Sequence, residues 1–307
     1  MQRRSLEVFT AVILALVAIA VFYRVYHFGQ ERFFTVDEYQ YAHATWLVSE
    51  GERPYIDFYE HHFPLSYVAH APLVWLDGAF SDKALRFRAV VFGYLLSVSL
   101  LLGWATWRAT RNRCTALLAV AFPPAFGFSL MSAVDYRADN FGAYLFLAGW
   151  CLLDLNRYRV AKRSLALLGG IALGLSVLMT QKMIFVAGGS AFLALVFDRI
   201  RAGRGTQSRG AFVWFPGWFC IGVALTLVFA LSLGVAAGLL SEAWNITILQ
   251  AIDHEVFYPS ISWSEYAAPF FRETPISTVL IIVAAILFFA LSRNGFWAIP
   301  VGVVLLG

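Results

Sequence analysis

The chain has 307 residues, of which 60% are hydrophobic, 17% aromatic and only 14% charged. Soluble domains contain about 45–50% apolar and about 25% charged residues, so this composition excludes an ordinary soluble protein and predicts a polytopic membrane protein. The net charge of +4 is not a nucleic-acid signal, because the location of Lys and Arg carries the information in a membrane protein. The three cysteines lie in or beside apolar runs at no metal-ligand spacing, which favours small core residues.

Apolar runs of membrane-spanning length recur along the whole chain. They predict a single all-α transmembrane domain over residues 1–307 with about nine spans, at 6–26, 88–107, 114–132, 139–155, 164–180, 183–198, 211–240, 276–292 and 295–307. The run 211–240 is long for one crossing, which predicts a tilt or an interfacial start around Trp214, Pro216 and Trp218. The last run reaches Gly307 without a polar exit, so we expect that the chain could be a fragment of a longer protein.

Basic residues cluster in short segments between alternate spans, at 3–4, 108–113, 156–163, 198–209 and Arg293. The positive-inside rule then places the N-terminus in the cytoplasm. Most acidic residues and all six histidines fall on the opposite side. We therefore expect three polar outer segments, at 27–87, 132–139 and 241–275, to carry the function.

The first outer segment contains two predicted surface helices. Thr35 followed by Glu38 has the pattern of a capping box, and Gly51 is suited to terminate the helix, so residues 36–50 are predicted as an amphipathic helix. A second helix is predicted over 64–77, where Pro72 should introduce a kink or start a new turn.

Charged residues stand close to the predicted membrane boundary in several outer segments. Helix capping alone would explain the acidic pair Asp37 and Glu38, and also Asp139. Arg137 could simply pair with a neighbouring acid, and Lys182 could extend from the end of its span towards water. Residues from different outer loops can also converge on one site, which isolated caps do not require, and we predict that these residues do so.

The order of these short motifs resembles the GT-C glycosyltransferases, and is most similar to the branch with protein O-mannosyltransferases and lipid A aminoarabinose transferases. The resemblance rests on Asp37-Glu38, on the aromatic, acidic and basic segment 55–64 that ends in Pro64, on Arg137-Ala138-Asp139, and on Lys182. Two departures stand out. Gln181 is inserted where relatives have a Thr-Lys-Gly turn, and histidine replaces the Lys of a Glu-Lys-Pro motif.

The resemblance implies an inverting glycosyltransferase that moves a sugar from a polyprenyl phosphate to an acceptor hydroxyl, on the outer face of a bacterial inner membrane. The acceptor would be a lipid, a polysaccharide or a protein. Asp37 would be the general base, and Glu38 and Asp139 would complete the catalytic acids. The implied contacts to the donor phosphate are Lys182, His61, His62 and Arg137. The implied contacts to the sugar or acceptor are Tyr41, Tyr59, Glu60, Asp135 and His254.

The implied reaction requires no cofactor and no nucleic-acid partner. A metal at Glu60, His61 and His62 is disfavoured, because adjacent histidines seldom both reach one ion. Two other classes of function are weighed against the enzyme. A transporter or flippase would place ionisable residues inside its spans, whereas here they gather in loops. A membrane scaffold that binds polyprenyl phosphate without transferring sugar stays open.

Overall fold

The computed structural model describes residues 2–125, 132–158, 163–191 and 217–249. These residues form helices and turns without a strand, and one isolated bridge joins Pro54 to Phe58. The chain divides into two compact units, Met1–Met183 with Phe215–Leu240, and Ile184–Trp214 with Ser241–Gly307. All contacts analysed below lie within the first unit.

The described part of the chain contains the α-helices α1 Gln2–Glu31, α2 Val36–Ser49, α3 Leu65–His70, α4 Phe80–Thr110, α5 Arg113–Ala125, α6 Ala138–Tyr158, α7 Arg163–Met179, α8 Gly217–Ala236 and α9 Leu240–Trp244. A 3-10 helix, Ala71–Trp75, follows α3, and a π-helical turn, Asn245–Leu249, follows α9. Residues 182–191 are also helical.

Three of the described helices are long and apolar enough to cross a membrane: Ser5–Glu31, Ser81–Thr110 and Gly217–Ala236. They confirm the prediction of an all-helical membrane protein. Helix α4 begins at Phe80, before the predicted start at 88, because its first turns carry the charges that the apolar-run criterion excludes. Helix α7 is apolar but shorter. The predicted spans 276–292 and 295–307 lie outside the described residues.

Small residues set the spacing of three neighbouring helices. A side chain at Gly149 of α6 or at Gly169 of α7 would lie 2.8 Å or 3.0 Å from the carbonyl oxygen of the other residue. Gly170 of α7 and Gly222 of α8 face the partner backbone even more closely. Lipid tails offer no hydrophobic drive between helices, so close backbone approach through small residues is the usual source of packing energy in a membrane.

Both ends of α2 are fixed by its local sequence, as predicted. The Thr35 hydroxyl accepts from the Glu38 amide at 3.3 Å, and the Glu38 carboxylate accepts from the Thr35 amide at 3.0 Å. At the other end Gly51 has a φ of +94°, its amide donates to Val48, and the next amide donates to Leu47 at 3.0 Å. This is a Schellman ending, for which glycine is best suited.

The second predicted surface helix is split. Helix α3 ends at His70, and the chain continues as the 3-10 helix with Pro72 in its first turn. Proline lacks an amide hydrogen and clashes with the preceding turn of an α-helix, so it starts a new turn, which was one of the two predicted outcomes.

Arg88 ties α1, α2 and α4 together and is fully buried. Its guanidinium donates two bonds to the Glu38 carboxylate, from Nε at 2.7 Å and from Nη2 at 2.8 Å. It also donates to the carbonyls of Arg32 and Phe33, each at 3.0 Å, and to that of Gly29. The five N–H groups of this side chain are thus all used. Because these carbonyls close helix α1, Arg88 fixes where α1 ends and α2 begins.

We expect Arg88→Met to lower the free energy of unfolding by about 3–5 kcal/mol, because it leaves the buried Glu38 carboxylate without its bidentate partner. Equilibrium unfolding in detergent micelles measures the change. Arg53→Met, which removes an exposed pair with Asp57, is the matched control and should change little. The double variant Glu38→Gln with Arg88→Met should recover part of the loss. Equal effects of Arg88→Met and Arg53→Met would contradict the role given to Arg88.

Candidate functional site

Four of the predicted site residues form one chain of alternating charges. Arg137 Nη2 lies 2.9 Å from Asp37 Oδ2 and 3.9 Å from Asp139 Oδ2. Lys182 Nζ lies 2.7 Å from the same Asp139 oxygen. Asp37 lies in the first turn of α2, Arg137 and Asp139 lie at the start of α6, and Lys182 begins the helical segment 182–191. The predicted convergence of acids and bases from separate segments is therefore present in the structure.

Local structure explains how the segments meet. The turn before α6 is closed by Asn140, whose amide donates to the carbonyls of Ser132 at 2.7 Å and Asp135 at 2.9 Å. Thr180, at the end of α7, donates to Asp139 Oδ1 at 2.9 Å. Asp139 therefore accepts from Thr180 and Lys182 with different oxygens, and its carboxylate is held in one orientation.

The adjacent acids of the Asp37-Glu38 pair face different surroundings. Successive residues on an α-helix project about 100° apart, because a turn has 3.6 residues. The Asp37 side chain is 48% exposed, whereas Glu38 is 2% exposed and bound to Arg88. The Tyr136 amide also donates to Glu38, at 3.2 Å, so Glu38 joins α2 to the turn that carries Arg137. Asp37 is therefore the accessible acid of the pair, and Glu38 is the buried one.

Burial alone would raise the pKa of Glu38. The hydrogen bonds from Arg88 and from the backbone amides of Thr35 and Tyr136 outweigh burial and hold this pKa below its usual value. Glu38 is therefore a buried anion. Asp135, predicted to contact sugar or acceptor, is likewise buried, and it pairs with Arg32. The structure does not bring Asp135 to the accessible side of the site.

A second group, formed by Glu60, His62 and Tyr41, lies beside the charge chain. Glu60 Oε1 lies 2.7 Å from His62 Nδ1, and His62 Nε2 lies 2.9 Å from the Tyr41 hydroxyl. All three side chains are buried. Burial, and then the negative charges of Asp139 and Glu60, raise the pKa of Tyr41, which keeps its hydroxyl protonated.

The remaining predicted contacts are more exposed. His61 packs its ring 3.8 Å from that of His62, and Tyr59 stacks on His61 with the ring centres 6.3 Å apart. The Gln181 amide donates to the His61 carbonyl at 2.8 Å. Gln181, inserted relative to the family pattern, thus joins the turn of Lys182 to the segment 60–62. His254 lies outside the described residues.

Sequence reasoning missed Arg88, Arg32 and Thr180 as partners of the site. Arg88 carried a signal, because an arginine at the edge of an apolar helix needs a buried partner. Thr180 had none, since its partner Asp139 lies 41 positions away, and Arg32 pairs both with nearby Glu38 and with distant Asp135. Compared with protein-family models, curated proteins and solved structures, the chain matches none.

The lowered pKa of Glu38 predicts an acid-sensitive contribution to stability. A carboxyl with a depressed folded pKa stabilises fully above its ordinary pKa of about 4.3, and this contribution is lost as pH falls through the folded value. We therefore expect the difference in unfolding temperature between wild type and Glu38→Gln to be constant near neutral pH and to shrink below about pH 4.

Thermal unfolding in detergent across pH measures this difference. Glu52→Gln, at an exposed glutamate just beyond the same helix, is the control and should give a small difference at every pH. Burial lowers the pKa of His70 to about 4. His70 therefore contributes its own loss of stability in acid to all three proteins, so only differences between them are compared. A Glu38→Gln difference that does not change with pH would contradict the prediction.

Proposed function

We propose that this protein is an inverting membrane glycosyltransferase that takes its sugar from a polyprenyl phosphate and transfers it to an acceptor hydroxyl at the outer membrane surface. The observation that carries the proposal is the chain Asp37–Arg137–Asp139–Lys182, with its 2.9 Å and 2.7 Å end pairs. It offers an accessible carboxylate and two cations side by side. That combination suits a reaction that needs a base at one atom and a binding site for a phosphate at another.

The bond changes define the role of each group. The acceptor oxygen forms a bond to the anomeric carbon from one side, and the bond from that carbon to the phosphate oxygen breaks on the other. The acceptor proton goes to Asp37, and the electron pair of the broken bond leaves with the phosphate. Positive charge develops on the sugar ring, so the Asp37 and Asp139 carboxylates favour the transition state. Phosphate leaves without a proton donor when Lys182 and Arg137 stabilise its charge.

Arg137 links the two halves of this scheme. One of its nitrogens bonds Asp37 at 2.9 Å, and its side chain and that of Asp37 are both partly exposed. An incoming lipid phosphate would compete for the same guanidinium. In the proposed cycle Arg137 turns from Asp37 to the phosphate, which frees a carboxylate oxygen to accept the proton. Donor binding would thus prepare the base, while Glu38 and Arg88 keep the surrounding backbone in place.

An apolar groove of about 470 Å³ lies between α4 and α6. It supports the proposal that the donor carries a lipid. It is lined chiefly by apolar side chains, among them Val90, Tyr94, Val98 and Leu145. The Tyr94 ring contacts Phe141, which in turn packs on His70. Phe141 follows Asp139 by two positions on α6, so this contact joins the groove to the helix that carries part of the charged site.

We expect a short polyprenyl phosphate to stabilise the purified protein, by about 2.7 kcal/mol at 100 times its dissociation constant. Lys182→Met should weaken this stabilisation, because it removes a mobile cation whose side chain is 60% exposed. Lys83→Met, at a lysine in the first turn of α4, is the control and should retain it. The measurement is thermal unfolding with and without lipid.

The same polyprenol without its phosphate separates headgroup binding from tail binding. Equal stabilisation by the alcohol and the phosphate would contradict a phosphate site at Lys182. Absence of stabilisation by either lipid would contradict the proposed donor class altogether.

We expect Asp37→Asn to lower sugar transfer roughly 10²–10⁴-fold, because the acceptor hydroxyl loses its base. Release of free polyprenyl phosphate from a panel of polyprenyl-phosphate sugars (mannose, glucose and aminoarabinose) measures turnover in membranes that contain the protein. Asp77→Asn, at an exposed aspartate in the same outer segment, is the control and should keep full turnover. Stabilisation by polyprenyl phosphate in Asp37→Asn should equal or exceed that of wild type, because Arg137 no longer has a charged partner to leave.

Binding of polyprenyl phosphate without turnover of any sugar in wild type would favour the scaffold. Equal turnover by wild type and Asp37→Asn would overturn the role of Asp37.

A further inference from the structure

We propose that Glu60, His61 and His62 form a binding site for a divalent transition metal of the zinc class. One oxygen or ring nitrogen from each side chain lies within 4.8 Å of the other two. Glu60 Oε1 lies 2.7 Å from His62 Nδ1 and 3.7 Å from His61 Nδ1. The proposal rests on this geometry and is independent of the proposed glycosyl transfer.

The distances are close to those of a tetrahedral zinc site. With bonds of about 2.0–2.2 Å to nitrogen and oxygen, two ligands of one tetrahedral ion lie about 3.3 Å apart. The two separations from Glu60, 2.7 Å and 3.7 Å, fall on either side of that value. All three separations, including that between the two histidine nitrogens, lie within 4.8 Å, so side-chain rotations would bring the three donors to one ion.

The backbone explains why two adjacent histidines can face one point. A metal was disfavoured here because adjacent histidines seldom both reach one ion, and in an extended chain successive side chains point to opposite sides. In the structure, hydrogen bonds hold the backbone carbonyls of both His61 and His62. Gln181 donates to the His61 carbonyl at 2.8 Å, and the Tyr55 hydroxyl donates to the His62 carbonyl at 2.6 Å. The His61 and His62 rings consequently lie side by side, 3.8 Å apart.

Tyr55 itself is held in a costly conformation. Its φ of +71° lies in the left-handed region, which is an outlier for a bulky residue. Its amide donates to Phe58 at 3.0 Å, and the turn around it is closed by bonds from Arg53 to the Asp57 carboxylate. Strain of this kind persists where the surrounding contacts over-determine it, and such positions cluster at functional sites. The turn therefore presets the loop that carries the three ligands.

A second layer of contacts fits a metal-bound histidine. Metal-ligating histidines almost always bond a protein group through the other ring nitrogen, which fixes the tautomer. His62 Nε2 lies 2.9 Å from the buried Tyr41 hydroxyl. Without metal, Nδ1–H donates to Glu60 and Tyr41 donates to Nε2. With metal, Nδ1 has lost its proton to bind the ion, and Nε2–H donates to the Tyr41 oxygen.

The ligand set also selects the ion. Two imidazoles and one carboxylate form the protein part of many zinc sites that keep one position open for water, and they disfavour the hard ions Mg²⁺ and Ca²⁺. The His61 side chain is 46% exposed, which gives an ion a path to the otherwise buried pair. The open position would face the same side and could accept an oxygen ligand.

Zinc alone tests the proposal, by titration of the chain without a polyhistidine tag against a chromophoric chelator. We expect one equivalent of Zn²⁺ to bind, Mg²⁺ and Ca²⁺ not to compete, and Co²⁺ to give the intense visible absorption of a four-coordinate site. His61→Ala should weaken Zn²⁺ binding more than tenfold, and because His61 is partly exposed this variant should fold. His43→Ala, at an exposed histidine of α2, is the matched control and should bind as wild type does.

Tyr41→Phe tests the outer layer. It keeps all three ligands and should weaken the affinity for Zn²⁺ about 10–100-fold, as loss of such partners usually does. No saturable Zn²⁺ binding in wild type would overturn the proposal, and so would equal affinity in wild type and His61→Ala. Neither readout depends on sugar transfer, so failure of the metal site and failure of the transferase proposal are separate results.

Discussion

The buried pair of Arg88 and Glu38 is the contact on which the described architecture most depends. Apolar helices in a lipid environment have little hydrophobic preference for one register over another, so polar contacts and small residues decide it. Arg88 binds the end of α1 through backbone carbonyls and the start of α2 through a carboxylate. Removing either charge would leave the other buried and uncompensated, which is far more costly than the pair is stabilising. The join between α1, α2 and α4 is therefore fixed in one arrangement.

Because the buried pair holds the backbone in place, the neighbouring exposed charges are free to change their ion-pair partners. Glu38 has no accessible surface to offer, but the Tyr136 amide binds it at 3.2 Å, and the next residue along the chain is Arg137. Arg137, Asp37 and Lys182 are all partly exposed, so their ion pairs are screened by water and contribute little to folding. The buried pair of Arg88 and Glu38 is thus permanent, whereas the exposed ion pairs a few residues away can be replaced. Replaceable pairs are what the proposed exchange of Arg137 between carboxylate and phosphate requires.

Local sequence rules predicted the described parts well where the cause is local. Thr35, Glu38 and Gly51 act within a few residues, and the capping box and helix ending follow from them. Pro72 is similar, because its ring interrupts any α-helix. The convergence of Asp37 with Arg137 was predicted from the placement of charges at the ends of spans. The partners could not be predicted individually, since Arg88 and Glu38 lie 50 positions apart and Gln181 and His61 lie 120 apart. Such pairings depend on how the helices pack, which periodicity does not encode.

The two positions at which the sequence differs from the motifs it resembles are in contact in the structure. Gln181 is the inserted residue and His61 lies in the segment where histidine replaces lysine, yet the side chain of one binds the backbone of the other at 2.8 Å. A lysine contributes a positive charge of its own, whereas an imidazole nitrogen can act as a ligand to a cation. The hydrogen bond from Gln181 fixes the backbone that carries both imidazoles beside Glu60. Under the two proposals, a bound cation would supply the positive charge that the resembled motif takes from lysine, and Gln181 would support the backbone of its ligands.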